Sequence, residues 1–273
     1  MLLEVMNIRK TYGKVVAVED VSFSIGRGEV FGLLGENGAG KTTTIKMLST
    51  LATPDSGRIL LNGRDIRKYR RETRKSIAVV SQDMNLGYEL SVFEVLYIYA
   101  LLRGIRNSKK LIDETIAKMG MTEKRNSKVG TLSGGQKRRV MAARAMLSGA
   151  ELIFMDEPTI GLDPAVRREM WDIIRQMQAD GRSILLTTHY TDEAEYLCGR
   201  VAIMEKGRIV SMDTPQSLID CAGAFAVDIN SRTLLFRDND AADDYIAKES
   251  LTGHRVRRTK LDDVLVSSIG RAV

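Results

Sequence analysis

The chain has 273 residues, of which 44% are hydrophobic and 28% charged, with 41 Lys plus Arg against 35 Asp plus Glu for a formal net charge of +6. That length and balance support one large domain, or a domain with an appendage, and exclude a disulfide-stapled miniprotein and a disordered low-complexity chain. No stretch reaches the roughly 18 to 20 apolar residues of a membrane span, Met1-Leu2-Leu3-Glu4 opens no signal peptide, and Cys198 and Cys221 stand in no metal or redox spacing, so the cytoplasm is the expected compartment.

In chain order, residues 2 to 8 and 21 to 34 read as strands, the second ending in Val30-Phe31-Gly32-Leu33-Leu34 just before a glycine-rich turn. A helix follows from about Lys41, with Ile45, Leu48 and Leu51 or Ala52 at helical spacing. Short strands are predicted at Arg58 to Leu61, Ile77 to Ser81, Leu152 to Met155, Ile184 to Thr188, Val201 to Glu205 and Gly207 to Ser211, with helices between most of them. This is an α/β pattern. The densest basic run, Arg64 to Lys75, holds one Tyr and no interleaved aromatics, so it reads as a charged surface helix, and no nucleic-acid partner is expected.

Residues 84 to 149 turn helical, opened by the capping box Ser91-Val92-Phe93-Glu94, and look like a helical insertion in the α/β domain. Asp163 and Pro164 read as the N-cap and first residue of a further helix whose apolar face carries Met170, Ile173, Ile174 and Met177, and Trp171 reads as a packing residue. From about Pro215 the register changes. Ala224 to Ile229, Thr233 to Phe236 and Arg255 to Thr259 alternate as strands, Ala241 to Lys248 and Leu261 to Ile269 as helices, which makes residues 221 to 273 a small α+β appendage.

Gly35-Glu36-Asn37-Gly38-Ala39-Gly40-Lys41-Thr42 fulfils the P-loop pattern between a strand and a helix, the context that the pattern requires. Glycines let successive N–H groups turn toward phosphate oxygens at the positive end of the following helix. The phosphate-binding set is Gly35, Asn37, Gly38, Gly40, Lys41, Thr42 and Thr43, with Lys41 directed to the β- and γ-phosphates and the Thr42 hydroxyl to Mg²⁺. The motif thus predicts ATP and Mg²⁺. The apolar tetrad Leu152 to Met155 runs into Asp156-Glu157-Pro158, where Asp156 can hold Mg²⁺ through water and Glu157 can orient or deprotonate the attacking water. His189 follows the strand Ile184 to Thr188, which in a parallel sheet sets it on the same edge, within reach of a γ-phosphate.

Leu132-Ser133-Gly134-Gly135-Gln136 is a motif that most P-loop proteins lack, and with it residues 1 to about 220 resemble the nucleotide-binding domain of ABC proteins. The family marks stand in order: Tyr12 in the position of the adenine-stacking aromatic, the P-loop, Gln82 after a strand, the signature, the acid pair, Gly161-Leu162-Asp163 as the loop linking subunits, and His189. The resemblance implies a P-loop NTPase fold with N-terminal antiparallel strands and a helical subdomain over about 84 to 149. It implies Mg²⁺ ligation and γ-phosphate sensing by Gln82, and a head-to-tail dimer in which Ser133, Gly134 and Gly135 cover the ATP of the partner, in keeping with glycine N–H groups, a Ser hydroxyl and a helix start after Gln136 as a second anion-binding cap. The loop from Asp83 to Leu90 is similar to the stretch that grips a permease, with Leu86 and Tyr88 as its exposed apolar contacts. The chain departs from the common family pattern at Ile160-Gly161, where Ser-Ala is usual, and at Gly199, where Asp is usual.

The function implied is an ATPase subunit, peripheral on the cytoplasmic side of the cell membrane, that drives a separate transmembrane permease and pairs with a second copy of itself or a homologous ATPase subunit. Leu261-Asp262-Asp263-Val264-Leu265 looks like the tail of drug-resistance and ABC-2-type exporter subunits, which tilts the direction toward export. Two other classes stand beside this one. A soluble ABC ATPase that remodels ribosomes or DNA usually carries tandem cassettes or a long coiled-coil insertion, and neither is visible; a non-hydrolysing module is opposed by the intact Lys41, Asp156, Glu157 and His189.

Overall fold

The computed structural model describes residues 1–82, 86–230, 232–249 and 251–268, with strands β1 (Leu3–Tyr12), β2 (Val15–Ile25) and β3 (Val30–Leu34) leading into helix α1 (Lys41–Leu48). Then come β4 (Ser56–Leu61), β5 (Arg64–Asp65), α2 (Arg70–Ser76), β6 (Ile77–Val80), α3 (Val92–Leu102), α4 (Lys109–Lys118), α5 (Gly134–Leu147), β7 (Leu152–Asp156), α6 (Pro164–Ala179) and β8 (Ser183–Thr188). The chain closes through α7 (Thr191–Leu197), β9 (Arg200–Glu205), β10 (Arg208–Asp213), α8 (Pro215–Ala222), β11 (Phe225–Ile229), β12 (Arg232–Phe236), α9 (Asn239–Lys248), β13 (His254–Arg258) and α10 (Leu261–Ser268).

Three sheets result. The N-terminal sheet runs β2-β1-β4-β5 and is antiparallel throughout; the central sheet runs β10-β9-β3-β8-β7-β6, with every pair parallel except β10 on β9; the C-terminal sheet runs β12-β11-β13. Every residue of β3, β7 and β8 is buried, as expected for a parallel sheet covered on both faces. The period of two divides those strands between two cores. Val30, Leu34, Ile153, Met155, Ile184 and Leu186 join one with the helical segment. Phe31, Leu33, Leu152, Phe154 and Leu185 join the other, against the N-terminal sheet and α1. The fold is the α/β ATPase architecture expected from the motifs.

The two N-terminal strands predicted from the sequence are three. A two-residue turn at Gly13 and Lys14, with Gly13 at φ 58°, folds β1 onto β2. Gly28 at φ 69° breaks the run from 21 to 34, and its N–H donates to Ser183 Oγ at 2.8 Å, which aligns β3 beside β8. Ser91 caps α3 with its hydroxyl accepting from Glu94 N–H at 3.2 Å, and Asp163 caps α6 by accepting from Val166 N–H at 3.0 Å, both as the sequence predicts. The basic run is helical only from Arg70; Arg64 and Asp65 pair with β4 instead. The predicted tail helix ends among the described residues at Ser268, and Ile269 lies outside them.

The C-terminal sheet is tied to α10 by Arg257. Its Nε donates to Asp228 Oδ2 at 2.8 Å and its Nη1 to Asp263 Oδ2 at 2.7 Å. The Arg257 hydrogen bonds hold the Asp228 carboxyl below the usual aspartate range. That stabilisation is complete above the ordinary aspartate pKa and disappears as pH falls through the lowered folded value. Arg257→Met is expected to cost about 2 kcal/mol near neutral pH. Hydrogen exchange should then show faster amide exchange in β11 and β13 while β3, β7 and β8 keep their protection, and acidification of the unaltered protein should bring on the same local loosening.

Candidate active site

Because β3, β6, β7 and β8 run parallel, the segments that leave their C-terminal ends meet along one edge of the central sheet. These segments carry the P-loop, Gln82, the acid pair and His189. The P-loop glycines have different physical reasons. A Cβ at Gly35 would lie 2.3 Å from the Met204 carbonyl oxygen, and one at Gly40, φ 103°, would lie 2.4 Å from the Ala17 carbonyl oxygen, so both are required by close backbone packing. Gly38, at φ 87°, meets nothing within 4 Å and leaves its backbone open to a ligand.

Lys41 is only 4% exposed. Its Nζ donates to the Gly35 carbonyl at 2.7 Å and the Glu36 carbonyl at 3.1 Å, and stands 3.5 Å from Glu157 Oε1. Burial pulls its pKa below the ordinary lysine value, and the carboxylates of Glu157 and Asp156 pull it back. Asp156 Oδ1 accepts from the hydroxyls of Thr187 at 2.6 Å and Thr42 at 3.2 Å. Thr187 acts twice, since its hydroxyl oxygen also accepts from Glu157 N–H at 3.0 Å.

Glu157 adopts φ 48°, a left-handed conformation that costs a non-glycine residue about 1 kcal/mol or more. The turn holds its carboxylate between two partners, Lys41 on one side and His189 Nδ1, 2.9 Å from Oε2, on the other. The acid pair and the histidine therefore form one constellation with the P-loop lysine. A cleft of about 380 Å³ opens beside them, lined by Asn37, Lys41, Thr42, Thr43, Gln82 and Glu157 among others. Tyr12 is 49% exposed and pairs across the hairpin with Val15, which lines the same cleft.

Ser133, Gly134, Gly135 and Gln136 are not part of that lining. They begin α5 with a second capping box, in which the Ser133 hydroxyl accepts from Gln136 N–H at 3.3 Å and Ser133 N–H donates to Gln136 Oε1 at 3.0 Å. Ser133 and Gly134 are exposed, and a Cβ on Gly134 would meet nothing within 4 Å. Gly135 differs: its Cβ would come 2.4 Å from Val166 Cγ1 on α6.

Of the permease-gripping loop, Asp83, Met84 and Asn85 lie outside the described residues. Leu86 is not the exposed contact that the sequence suggested; it is 6% exposed and packs in the core shared with Val92, Leu96 and Val129. Tyr88 is 51% exposed, with Lys137 Nζ 5.3 Å from its ring centroid. Sequence reasoning missed Thr187 and Arg138. A pair of hydroxyl residues ending an otherwise aliphatic strand was the available signal for Thr187. Arg138 gave none, because a basic residue on a helix reads as solvated, yet it is 1% exposed and its Nη1 donates to the Ser81 carbonyl at 2.9 Å, just before Gln82.

The profile of a family described as ABC transporter matches residues 18–160. The chain belongs to the ABC transporter family. It is 41% identical over 220 residues to Nod factor export ATP-binding protein I of Burkholderia orbicola, a match that covers 80% of this chain and 72% of that protein. It is 38% identical over 224 residues to linearmycin resistance ATP-binding protein LnrL of Bacillus subtilis, covering 81% and 72%. A solved structure of an ATP binding subunit of an ABC transporter superposes with a TM-score of 0.75 at 28% identity, covering 98% of this chain and 99% of that one. That of cbiO1 from Clostridium perfringens, part of the transporter complex cbiONQ, superposes with a TM-score of 0.72 at 30% identity, covering 80% and 90%. As a member of this ABC family the chain is an ATP-binding, ATP-hydrolysing subunit that serves transport. Among the described residues no helix is long and apolar enough to cross a membrane.

Thr187→Val keeps the strand's shape and removes the hydroxyl shared by Asp156 and the Glu157 backbone. Steady-state ATP hydrolysis should fall by roughly 10- to 100-fold, the cost of slightly misplaced carboxylates beside the P-loop lysine, with an unchanged far-UV spectrum.

Proposed function

We propose that the chain is the motor subunit of an ABC exporter, working as a dimer with a second copy or a homologous subunit on the cytoplasmic face of a separate permease. The observation that carries this is a division within one chain: the P-loop cleft holds Lys41, Glu157 and Gln82, while Ser133 and Gly134 are exposed at the start of α5 and take no part in that cleft. Two separate half-sites are completed by a second copy arranged head to tail. Export is favoured by the functions printed in the names of two relatives, a Nod factor export protein and a linearmycin resistance protein. Residues 1–220 serve as the nucleotide-binding domain, with a helical subdomain over about 84–149, and residues 221–273 as an accessory domain.

Each residue has a chemical task. Gly35, Asn37, Gly38, Gly40 and Thr43 shape the cradle, Lys41 neutralises β- and γ-phosphate charge, and Tyr12 stacks on the adenine. Ser133, Gly134 and Gly135 offer a hydroxyl and N–H groups to the partner's nucleotide, with Gln136 fixing the cap that orients them. The donor set fits a hard divalent cation: Thr42 Oγ1 and Asp156 Oδ1 lie 3.2 Å apart at the cleft and Gln82 lines it, all oxygen ligands suited to Mg²⁺. Mg²⁺ bound there supplies charge neutralisation on the phosphates. Glu157 orients the attacking water and takes its proton, and His189, aligned through Nδ1 on Glu157, leaves Nε2 for the γ-phosphate.

Glu157→Gln is expected to lower ATP turnover by about 10²-fold or more while ATP binding persists. Size-exclusion chromatography of that variant with saturating ATP should show a dimer that Ser133→Arg abolishes. A variant that stays monomeric with ATP bound, or one with an unaltered hydrolysis rate, rejects the proposal. Co-purification with a multi-span membrane protein tests the permease assignment.

A further inference from the structure

Glu193 lies in α7, four residues past His189, and is fully buried. Its Oε1 accepts from Thr159 Oγ1 at 2.7 Å and from Trp171 Nε1 at 3.0 Å, while Oε2 has no hydrogen-bond partner. Burial pushes its pKa up. A buried carboxylate with one unsatisfied oxygen is a poor choice for stability alone, because an apolar side chain of similar volume avoids the desolvation cost. The explanation for it is in its partners. Thr159 is two residues past Glu157, and Trp171 belongs to α6, which the linking loop at Gly161 and Leu162 enters.

We propose that Glu193 is a positioning residue for ATP hydrolysis: a single buried carboxyl ties the Glu157 turn and α6 to the helix that follows His189, and so fixes the 2.9 Å approach of His189 Nδ1 to Glu157. Glu193 does not itself line the cleft, so its effect runs through the two groups that do the chemistry. The outer side of α7 is fixed independently: Thr191 Oγ1 donates to Asp262 Oδ1 at 2.5 Å, and Leu261 N–H donates to Glu195 Oε1 at 2.9 Å, both from α10. With α7 held from outside, loss of Glu193 loosens the inner connection without releasing the helix.

The inference rests on the roles proposed for Glu157 and His189, and the full-length protein tests the two separately. Glu193→Leu fills the site and removes the bonds to Thr159 and Trp171; kcat for ATP should fall about tenfold or more with KM and ATP affinity within about twofold. Glu193→Gln retains a carbonyl acceptor for Thr159 and Trp171 and should recover most of the rate. Thr159→Val alone should slow turnover, and added to Glu193→Leu it should cost nothing further, because the two remove the same connection. An unchanged kcat in Glu193→Leu, additive losses in the pair, or a Glu193→Gln rate no better than that of Glu193→Leu overturns the proposal. Should Glu193→Leu fail to fold, Thr159→Val decides, and an unaffected rate there counts against it. Glu157→Gln is the control: if it still turns over, the assignment of the base fails and the positioning role fails with it, whereas an inactive Glu157→Gln beside an active Glu193→Leu sinks only the latter.

Discussion

A lysine ammonium almost closed off from water holds one edge of the central sheet together. Lys41 is surrounded by two carbonyls of its own loop and by Glu157, and an ammonium so placed requires close acceptors to offset the loss of hydration. The glycines that curl the loop bring the carbonyls within reach, and the parallel pairing of β7 with β8 beside β3 brings the carboxylate. Thr187 locks the acid pair in place, and His189 is aligned on the far oxygen of Glu157. Displacing any one of these groups changes the electrostatic surroundings of the others, so loop, acid pair and histidine form a single polar unit built over two apolar cores.

Much of this was legible in the sequence where a local rule decides the outcome. The P-loop has a spacing, strand–loop–helix context and glycine pattern that leave little freedom, and β7 and β8 announce themselves as aliphatic runs of strand length ending in polar residues. Capping boxes are short-range, so Ser91 with Glu94 could be read directly. The same rule applies to Ser133 and Gln136, where the helix begins at Gly134, earlier than the start after Gln136 that the sequence suggests.

What could not be read depends on contacts between distant segments. Glycine turns at Gly13 and Gly28 divide N-terminal strands whose apolar pattern continues almost across them. Leu86 carries no mark that separates a residue packed under a loop from one displayed on it, and Arg138 carries none that separates a buried guanidinium from a solvated one. Thr187 lies 30 and 31 residues from its partners and Thr159 lies 34 from Glu193, and these pairs meet only when the parallel sheet forms.

The contact between α5 and α6 at Gly135 has a consequence for genetics. With Val166 Cγ1 only 2.4 Å from where a Cβ would be, any side chain at Gly135 wedges two helices apart regardless of what the signature binds. A loss-of-function allele at this codon therefore reports a steric collision, whereas one at the neighbouring Gly134, where a Cβ meets nothing within 4 Å, has no such collision to report. The two kinds of lesion separate under suppressor selection: trimming Val166 to a smaller residue makes room for alanine at 135 and has nothing to offer a substitution at 134.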